Sequence, residues 1–275
     1  MRRVIVVLTD GLRPDAISPA RTPWLDALAT GYTSAPEALT IRPSTTVAAL
    51  TSLATGLRPA THGLTTPGLR FVSQIPLMRP VAQELERHGL ATRIVAGEID
   101  LVHRALVGAL AAAAGIRRLT TAGSTAREVA RASLREAESH RAGLLFVYLN
   151  DCDRAGHRDG WMSAGYLAAV CEVDAAVGAL ATLAGQSLMV VLADHGGGGV
   201  SAREHDEPHP VNDRIPLILA GPGVARNRRL GGPVSLLDVP PTILHWLGVP
   251  IPRTYEGRVL ADAFEPRARA VVIAA

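Results

Sequence analysis

Short apolar runs that stop at an acidic residue occur three times along this chain. They are Val4 to Thr9 before Asp10, Leu144 to Leu149 before Asp151 and Asp153, and Leu188 to Ala193 before Asp194. A short, continuous apolar run is typical of a strand that is buried on both faces. The pattern therefore predicts three buried strands, each with aspartate at its carboxyl end.

Helical patterns separate these runs. They predict helices at Pro23 to Ala29 with Thr22 as N-cap, Val81 to His88, Ala126 to His140, and Met162 to Leu183. Further strands are predicted at Thr92 to Ala96, Ile215 to Ala220, and Ala270 to Ile273. Alternating strands and helices predict an α/β fold with a mostly parallel central sheet and helices on both faces. Without a repeat, a linker or a break in composition, residues 1–275 are predicted to form a single domain with minimal cap insertions.

Composition narrows the class of protein. The chain is 48% hydrophobic and only 19% charged, which excludes a disordered protein. No uncharged apolar run reaches the roughly 18 residues needed to cross a bilayer, so no membrane partner is expected. The run Val4 to Leu8 is too short for a signal-peptide core, and Cys152 and Cys171 are the only cysteines. These features predict a cytoplasmic protein.

The basic residues exclude further classes of function. All 28 are arginine, so the chain lacks the lysine of a P-loop and the amine of a Schiff-base or pyridoxal enzyme. The net charge is only +3 and the arginines are scattered, so no nucleic-acid partner is expected.

Carboxylates and imidazoles gather near the predicted strand ends, where open α/β sheets bind their ligands. The candidates are Asp10, Asp151, Asp153, His157, Asp194, His195, His205 and His209. These ligand types suit zinc, and manganese or iron would accept the same residues. Their number suffices for two metals about 4 Å apart, an arrangement typical of phosphoryl or related group transfer. The glycines Gly196 to Gly199 are interpreted as a flexible turn beside this site.

A candidate nucleophile lies before the helix-compatible run Ala48 to Ala54. Ser44, Thr45 and Thr46 each carry a hydroxyl there. Such a hydroxyl faces free backbone amides, where a phosphoryl oxyanion would be held, but it could equally be a plain N-cap. The local sequence alone favours the cap.

Taken together, these motifs resemble the alkaline phosphatase superfamily, and within it the type I phosphodiesterase and nucleotide pyrophosphatase branch. The resemblance spans nearly the whole chain. It rests on the order and spacing of Asp10-Gly11, Thr46 to Gly56, His62-Gly63, Asp153 to His157, Asp194-His195, His209, Gly221 to Gly223, and the tail from Leu237 to Gly248.

The resemblance implies an alkaline phosphatase-like fold and hydrolysis of a small-molecule phosphate ester with two divalent metal ions, zinc or alternatively manganese. Thr46 is implied as the nucleophile, because the family's nucleophile lies nine residues before the threonine of the Thr-Gly pair. One metal is implied at Asp10, Asp194 and His195, beside the Thr46 oxygen. The other is implied at Asp153, His157 and His209.

Some choices among neighbours stay open. Asp153 is preferred to Asp151 because it alone has the four-residue step to His157, and His209 is preferred to His205 for its place before the incoming strand. Phosphonate C–P cleavage and phosphomutase chemistry on the same fold are alternatives, as is a binding protein without turnover.

Substrate class is also open. The sulfatase branch has cysteine or serine followed by proline and arginine where this chain has Thr46, Val47, Ala48 and Ala49, so sulfatase chemistry by that route is disfavoured. The pyrophosphatase branch usually has proline and asparagine after the nucleophile, where this chain has Ala48 and Ala49. It usually has another asparagine beyond the His-Gly pair, near which this chain has Thr65, Thr66 and Pro67. Arg42 and Arg58 flank the nucleophile segment and could bind the second charge of a monoester.

Overall fold

An eight-stranded mixed sheet lies at the centre of the protein. The computed structural model describes residues 2–18, 21–66, 70–98, 108–109 and 111–266. The strands are β1 Arg3–Thr9, β2 Thr33–Leu39, β3 Ala91–Ala96, β4 Arg118–Thr121, β5 Gly143–Leu149, β6 Leu188–Leu192, β7 Arg214–Ala220 and β8 Arg228–Arg229. Their order across the sheet is β4-β3-β5-β1-β6-β7-β2-β8. The five strands from β4 to β6 are parallel, and β7 is antiparallel to both β6 and β2.

Helices cover the sheet in two groups. The α-helices of the described residues are α1 Pro23–Gly31, α2 Thr46–Thr55, α3 Pro59–His62, α4 Arg70–Gln74, α5 Val81–Arg87, α6 Ala126–Ser139, α7 Asp151–Asp159, α8 Ala164–Ala181, α9 Pro210–Asp213 and α10 Val239–Leu247. Helices α1 and α6 pack against α8, whereas α2, α5 and α10 pack against one another. Every residue of β1 and β6 is buried, so the middle of the sheet is covered on both faces. The predicted α/β class is confirmed.

The strands that carry the aspartates are adjacent in the order β5-β1-β6. Each lies within one residue of its predicted bounds, because a continuous apolar run in the centre of a sheet leaves little ambiguity. Strands β2, β4 and β8 and helix α7 were not predicted. The predicted strand Ala270 to Ile273 lies outside the described residues.

Helix α8 is a core helix that also caps α1. By length and composition, Ala164–Gly185 is the one stretch among the described residues that could cross a membrane, but α8 packs against α1, α6 and α7. The carboxylate of Asp174 on α8 accepts hydrogen bonds from the amides of Trp24 (3.3 Å) and Leu25 (2.7 Å). Thr22 occupies the N-cap position of α1, as predicted, but its hydroxyl donates to the Ser18 carbonyl (3.0 Å) and makes no capping bond to the helix.

Candidate active site

Three aspartates meet at the carboxyl ends of β5, β1 and β6. Asp10 follows β1, Asp194 follows β6, and Asp153 lies in the first turn of α7, where its amide donates to the Asp10 carbonyl (3.0 Å). Each has a buried oxygen without a hydrogen-bond partner: Asp10 Oδ1, Asp153 Oδ1 and Asp194 Oδ2. Buried carboxylate oxygens are costly unless a donor or a cation compensates them. Their convergence indicates a site for positive charge.

Three histidines direct their Nε2 atoms towards these oxygens and are fixed through their Nδ1 atoms. The Nδ1 atoms of His157, His195 and His205 each lie 2.8 Å from a backbone carbonyl oxygen, those of Arg203, Gly196 and Ser44 respectively. A carbonyl can only accept, so Nδ1 carries the proton and donates it, which leaves the Nε2 lone pair free in the neutral ring. Backbone bonds of this kind are the usual means of orienting a metal-binding histidine.

The first group consists of Asp10, Asp194 and His195, all fully buried or nearly so. His195 Nε2 lies 3.3 Å from Asp10 Oδ1 and 3.5 Å from Asp194 Oδ2. The hydroxyl oxygen of Thr46 lies 3.2 Å from the same nitrogen. The structure thus brings together the four residues that the resemblance assigned to one metal.

The second group consists of Asp153, His157 and His205. Asp153 Oδ1 lies 3.4 Å from His157 Nε2 and 3.8 Å from His205 Nε2. The ring of His205 stacks on that of His195, with centroids 3.8 Å apart and planes 11° from parallel. Ligand atoms of Asp153, His195 and His205 lie within 4.8 Å of one another, as do those of the first group. His195 therefore stands between the two groups.

The geometry reverses the predicted choice between the two later histidines. His205 is buried in the second group, whereas His209 belongs to neither group. His209 is the N-cap of α9, and its Nδ1 accepts a hydrogen bond from the Val211 amide (3.3 Å). The lone pair of His209 Nδ1 is therefore already engaged in this hydrogen bond. Asp151 also lies outside both groups and pairs with Arg154 (3.3 Å), as expected of the less favoured aspartate.

Burial and repulsion from neighbouring carboxylates oppose ionisation of Asp10 and Asp153. Burial raises the pKa of Asp10 well above its usual range, and the neighbouring Asp194 and Asp153 raise it further. Burial is also the main cause of a raised pKa at Asp153, which its histidine neighbours partly offset. Burial, followed by the neighbouring His195, lowers the pKa of His205. Carboxylates that repel one another in a buried site are the electrostatic surroundings that a divalent cation relieves.

Three successive hydroxyls before α2 have three different roles. The Thr45 side chain is the N-cap of α2 and accepts from the Ala48 amide (3.4 Å). Ser44 is buried, and its hydroxyl donates to the His205 carbonyl (2.7 Å). Thr46 begins the helix and faces His195. The capping role that competed for Thr46 thus belongs to Thr45.

Aromatic side chains that were not predicted support the site. The Tyr148 hydroxyl donates to Asp10 Oδ2 from β5. The Trp161 indole donates to the Gly11 carbonyl (2.9 Å), and its ring meets those of His157 and His205 edge-on. Tyr148 could have been noticed as a polar side chain next to the last residue of a buried strand.

The four glycines after His195 are a packed segment and not the flexible turn that was expected. Gly196 and Gly197 are buried. A Cβ at Gly197 would overlap the Trp161 ring, and one at Gly156 would come within 2.5 Å of it. Because Gly156 and Gly197 have no side chains, the Trp161 indole can pack beside the histidines.

The two flanking arginines are not equivalent. The Arg42 guanidinium pairs with the carboxylate of Asp213. The Arg58 amide binds the Glu256 carboxylate, which fixes the backbone at the start of α3. The Arg42 guanidinium is therefore engaged in an ion pair with Asp213.

Comparison with known proteins is consistent with this geometry. The family described as type I phosphodiesterase / nucleotide pyrophosphatase matches residues 4–73 and 93–236. A 2,3-bisphosphoglycerate-independent phosphoglycerate mutase from Rhodopirellula baltica is 33% identical over 144 residues, covering 50% of this chain and 26% of the mutase. Arylsulfatase K from Bos taurus is 29% identical over 103 residues, covering 34% of this chain and 18% of the sulfatase. The matches thus span about a quarter of these curated relatives or less.

Solved structures share the fold. The phosphonate monoester hydrolase from Silicibacter pomeroyi superposes with a TM-score of 0.71 over 94% of this chain and 76% of its own, at 17% identity. A protein of the alkaline phosphatase superfamily from Vibrio parahaemolyticus gives a TM-score of 0.74 over 98% of this chain and 71% of its own, at 18% identity. The chain belongs to the type I phosphodiesterase / nucleotide pyrophosphatase family and has the fold of the alkaline phosphatase superfamily.

Proposed function

We propose that this protein is a metal-dependent hydrolase of phosphate esters with Thr46 as nucleophile. Asp10, Asp194, His195 and the Thr46 oxygen would hold one divalent ion, and Asp153, His157 and His205 the other. One observation carries the proposal: unpartnered buried carboxylate oxygens and imidazole nitrogens gather around His195, whose Nε2 lies 3.2 Å from the Thr46 hydroxyl oxygen. The oxygen and nitrogen donors suit zinc or manganese. When bound, such ions would supply positive charge that lowers the pKa of hydroxyl groups and stabilises a transferring phosphoryl group.

The residues around Thr46 position it for attack on phosphorus. Because Thr45 caps the helix, the Thr46 hydroxyl is free to face the substrate. The first amides of α2 have no partner within the helix, and a phosphoryl oxygen can be held there. Thr46 Oγ1 would bond to phosphorus while the leaving alcohol departs with a proton. Water would then cleave the Thr46 ester and return a proton to the threonine.

Two other reactions on this fold remain as rivals. Phosphoglycerate mutase is among the relatives, and a mutase would return the phosphoryl group to an alcohol instead of water. Arylsulfatase K is another relative, but Thr46 is followed here by Val47 and Ala48 and so lacks the sequence expected for a sulfatase nucleophile. We propose a small-molecule ester as substrate and the cytoplasm as location.

The test is metal analysis combined with a substrate panel. Metal-stripped protein should be inactive, and zinc or manganese should restore turnover of aryl phosphodiesters above that of sulfate esters and phosphonates. Reaction in ¹⁸O-labelled water should place one labelled oxygen in the phosphate product. Full activity of the stripped protein would contradict the metal site, and transfer to an added alcohol without label would favour a mutase.

A further inference from the structure

Ser44 and His205 are joined by two reciprocal hydrogen bonds. The Ser44 hydroxyl donates to the His205 carbonyl (2.7 Å), and His205 Nδ1 donates to the Ser44 carbonyl (2.8 Å). From this pair we infer that Ser44 is a positioning residue that holds His205 against Asp153, so that the second ion binds tightly. The inference rests on the proposed function, because it assigns His205 to that ion.

The surroundings of His205 show why such an anchor is needed. The neighbouring side chains of Arg203, Glu204, Asp206 and Glu207 are exposed, whereas His205 is only 7% exposed and Ser44 only 2%. Among the described residues, both hydrogen bonds of His205 go to Ser44, and the exposed Asp206 carboxylate lies 3.3 Å from the same Nδ1. The buried His205 ring thus comes from an otherwise exposed loop, and its hydrogen bonds to Ser44 fix its position.

The same contact couples the two halves of the site. Ser44 lies two residues before Thr46 and shares its segment, whereas His205 comes from the loop between β6 and α9. The Ser44 pair therefore ties the segment that presents the nucleophile to a ligand of the neighbouring ion. The stacking of His205 on His195 extends this link to the first group.

Loss of the Ser44 hydroxyl would leave the His205 carbonyl buried without its donor. A typical net hydrogen bond corresponds to about a twofold to tenfold change in an equilibrium constant. We therefore expect Ser44→Ala to weaken binding of the second ion by about that factor or more, and to weaken binding of the first ion less.

The experiment is a zinc titration of the metal-stripped full chain in competition with a chromophoric chelator. Asp153→Asn and Asp194→Asn identify which binding phase belongs to which group. Ser133→Ala is the matched control, because Ser133 is also buried and its hydroxyl also donates to a backbone carbonyl, that of Val129 (2.8 Å), within α6. Thermal unfolding of both serine variants measures any general loss of stability.

Selective loss of the phase assigned to Asp153 in Ser44→Ala, with normal binding in Ser133→Ala, would support the inference. In a His205→Ala background, Ser44→Ala should cause no further loss in that phase. Two ions bound by Ser44→Ala with wild-type affinity would overturn the inference and leave the proposed function intact. A wild-type protein that binds no zinc or manganese would overturn both.

Discussion

Tyr148 donates its phenolic hydrogen to Asp10 Oδ2, which leaves Asp10 Oδ1 facing His195 Nε2 at 3.3 Å. Tyr148 lies on β5 and pairs with Leu8 of β1 in the parallel register, and Asp10 directly follows β1. One oxygen of the carboxylate is thus fixed by the sheet, and the other is left for the site.

Tyr148→Phe should therefore lower the affinity of the first group for its metal ion without disturbing the fold. The substitution removes one hydroxyl and keeps the ring. Loss of a partner that orients a metal-binding group typically costs about 10–100-fold in affinity or activity. Zinc titration should show this loss in the binding phase that Asp194→Asn also removes. Unchanged affinity would mean that Tyr148 only fills space.

Thr46 and Thr45 should separate catalysis from stability. Thr46→Ala should reduce turnover by about 1,000-fold or more, since it removes the attacking oxygen, and Thr46→Ser should retain part of the activity. Thr45→Ala should instead cost about 1 kcal/mol of unfolding free energy through loss of the helix cap. Single-turnover kinetics and urea unfolding measure the two effects. Wild-type turnover in Thr46→Ala would assign the nucleophile elsewhere.

Substitution of His205 should impair metal binding, whereas substitution of His209 should not. His205→Ala should lower affinity for the second ion by more than the roughly 10–100-fold typical of a supporting residue. His209→Ala should affect mainly the start of α9 and leave two ions bound. Metal content after gel filtration distinguishes them. The opposite pattern would restore the choice of ligand made from the sequence.

Arg42→Ala should have a small and equal effect on phosphate monoesters, diesters and sulfate esters. The guanidinium is paired with Asp213, so it is not available to a second phosphoryl charge. We expect changes in kcat/KM within about threefold, in line with the modest energies of exposed ion pairs. A loss confined to monoesters would show that Arg42 reaches the substrate.

The contribution of His140 to stability should fall as the solution becomes more acidic than about pH 6.5. Burial, followed by Arg93, lowers the pKa of His140 below its ordinary 6.5, and His140 Nε2 bonds to the Leu144 carbonyl at 3.0 Å. Between the lowered pKa and 6.5 the unfolded chain binds more protons, so unfolding is favoured there by up to about 1.4 kcal/mol per pH unit. His140→Gln should flatten this slope in urea unfolding. Arg135→Gln, in helix α6, of which His140 is the C-cap, serves as a control.

The central sheet could be predicted from the sequence because its strands are continuous apolar runs. Strand β2 could not, since Pro36 and Glu37 interrupt its pattern and the register shifts between Ala35 and Ala38. Helix α7 could not be predicted because it is short and rich in charged residues, two of which, Asp153 and His157, lie one turn apart and face the site.

The site could be predicted to the level of residue types. The choice between His205 and His209 depends on which ring nitrogen a backbone group occupies, and spacing along the chain does not reveal that. The role of Ser44 depends on a contact between segments 161 residues apart. Such contacts arise from the path of the loops and leave no local pattern.

Trp161 has a consequence for how this site can vary. Its ring fills space that Cβ atoms at Gly156 and Gly197 would occupy, and its indole holds the Gly11 carbonyl beside Asp10. An alanine at either glycine would have to displace the indole from the histidines, unless a smaller residue replaced Trp161 at the same time. We therefore expect substitutions at Gly156, Gly197 and Trp161 to be tolerated only in combination, and engineered variants should change these positions together.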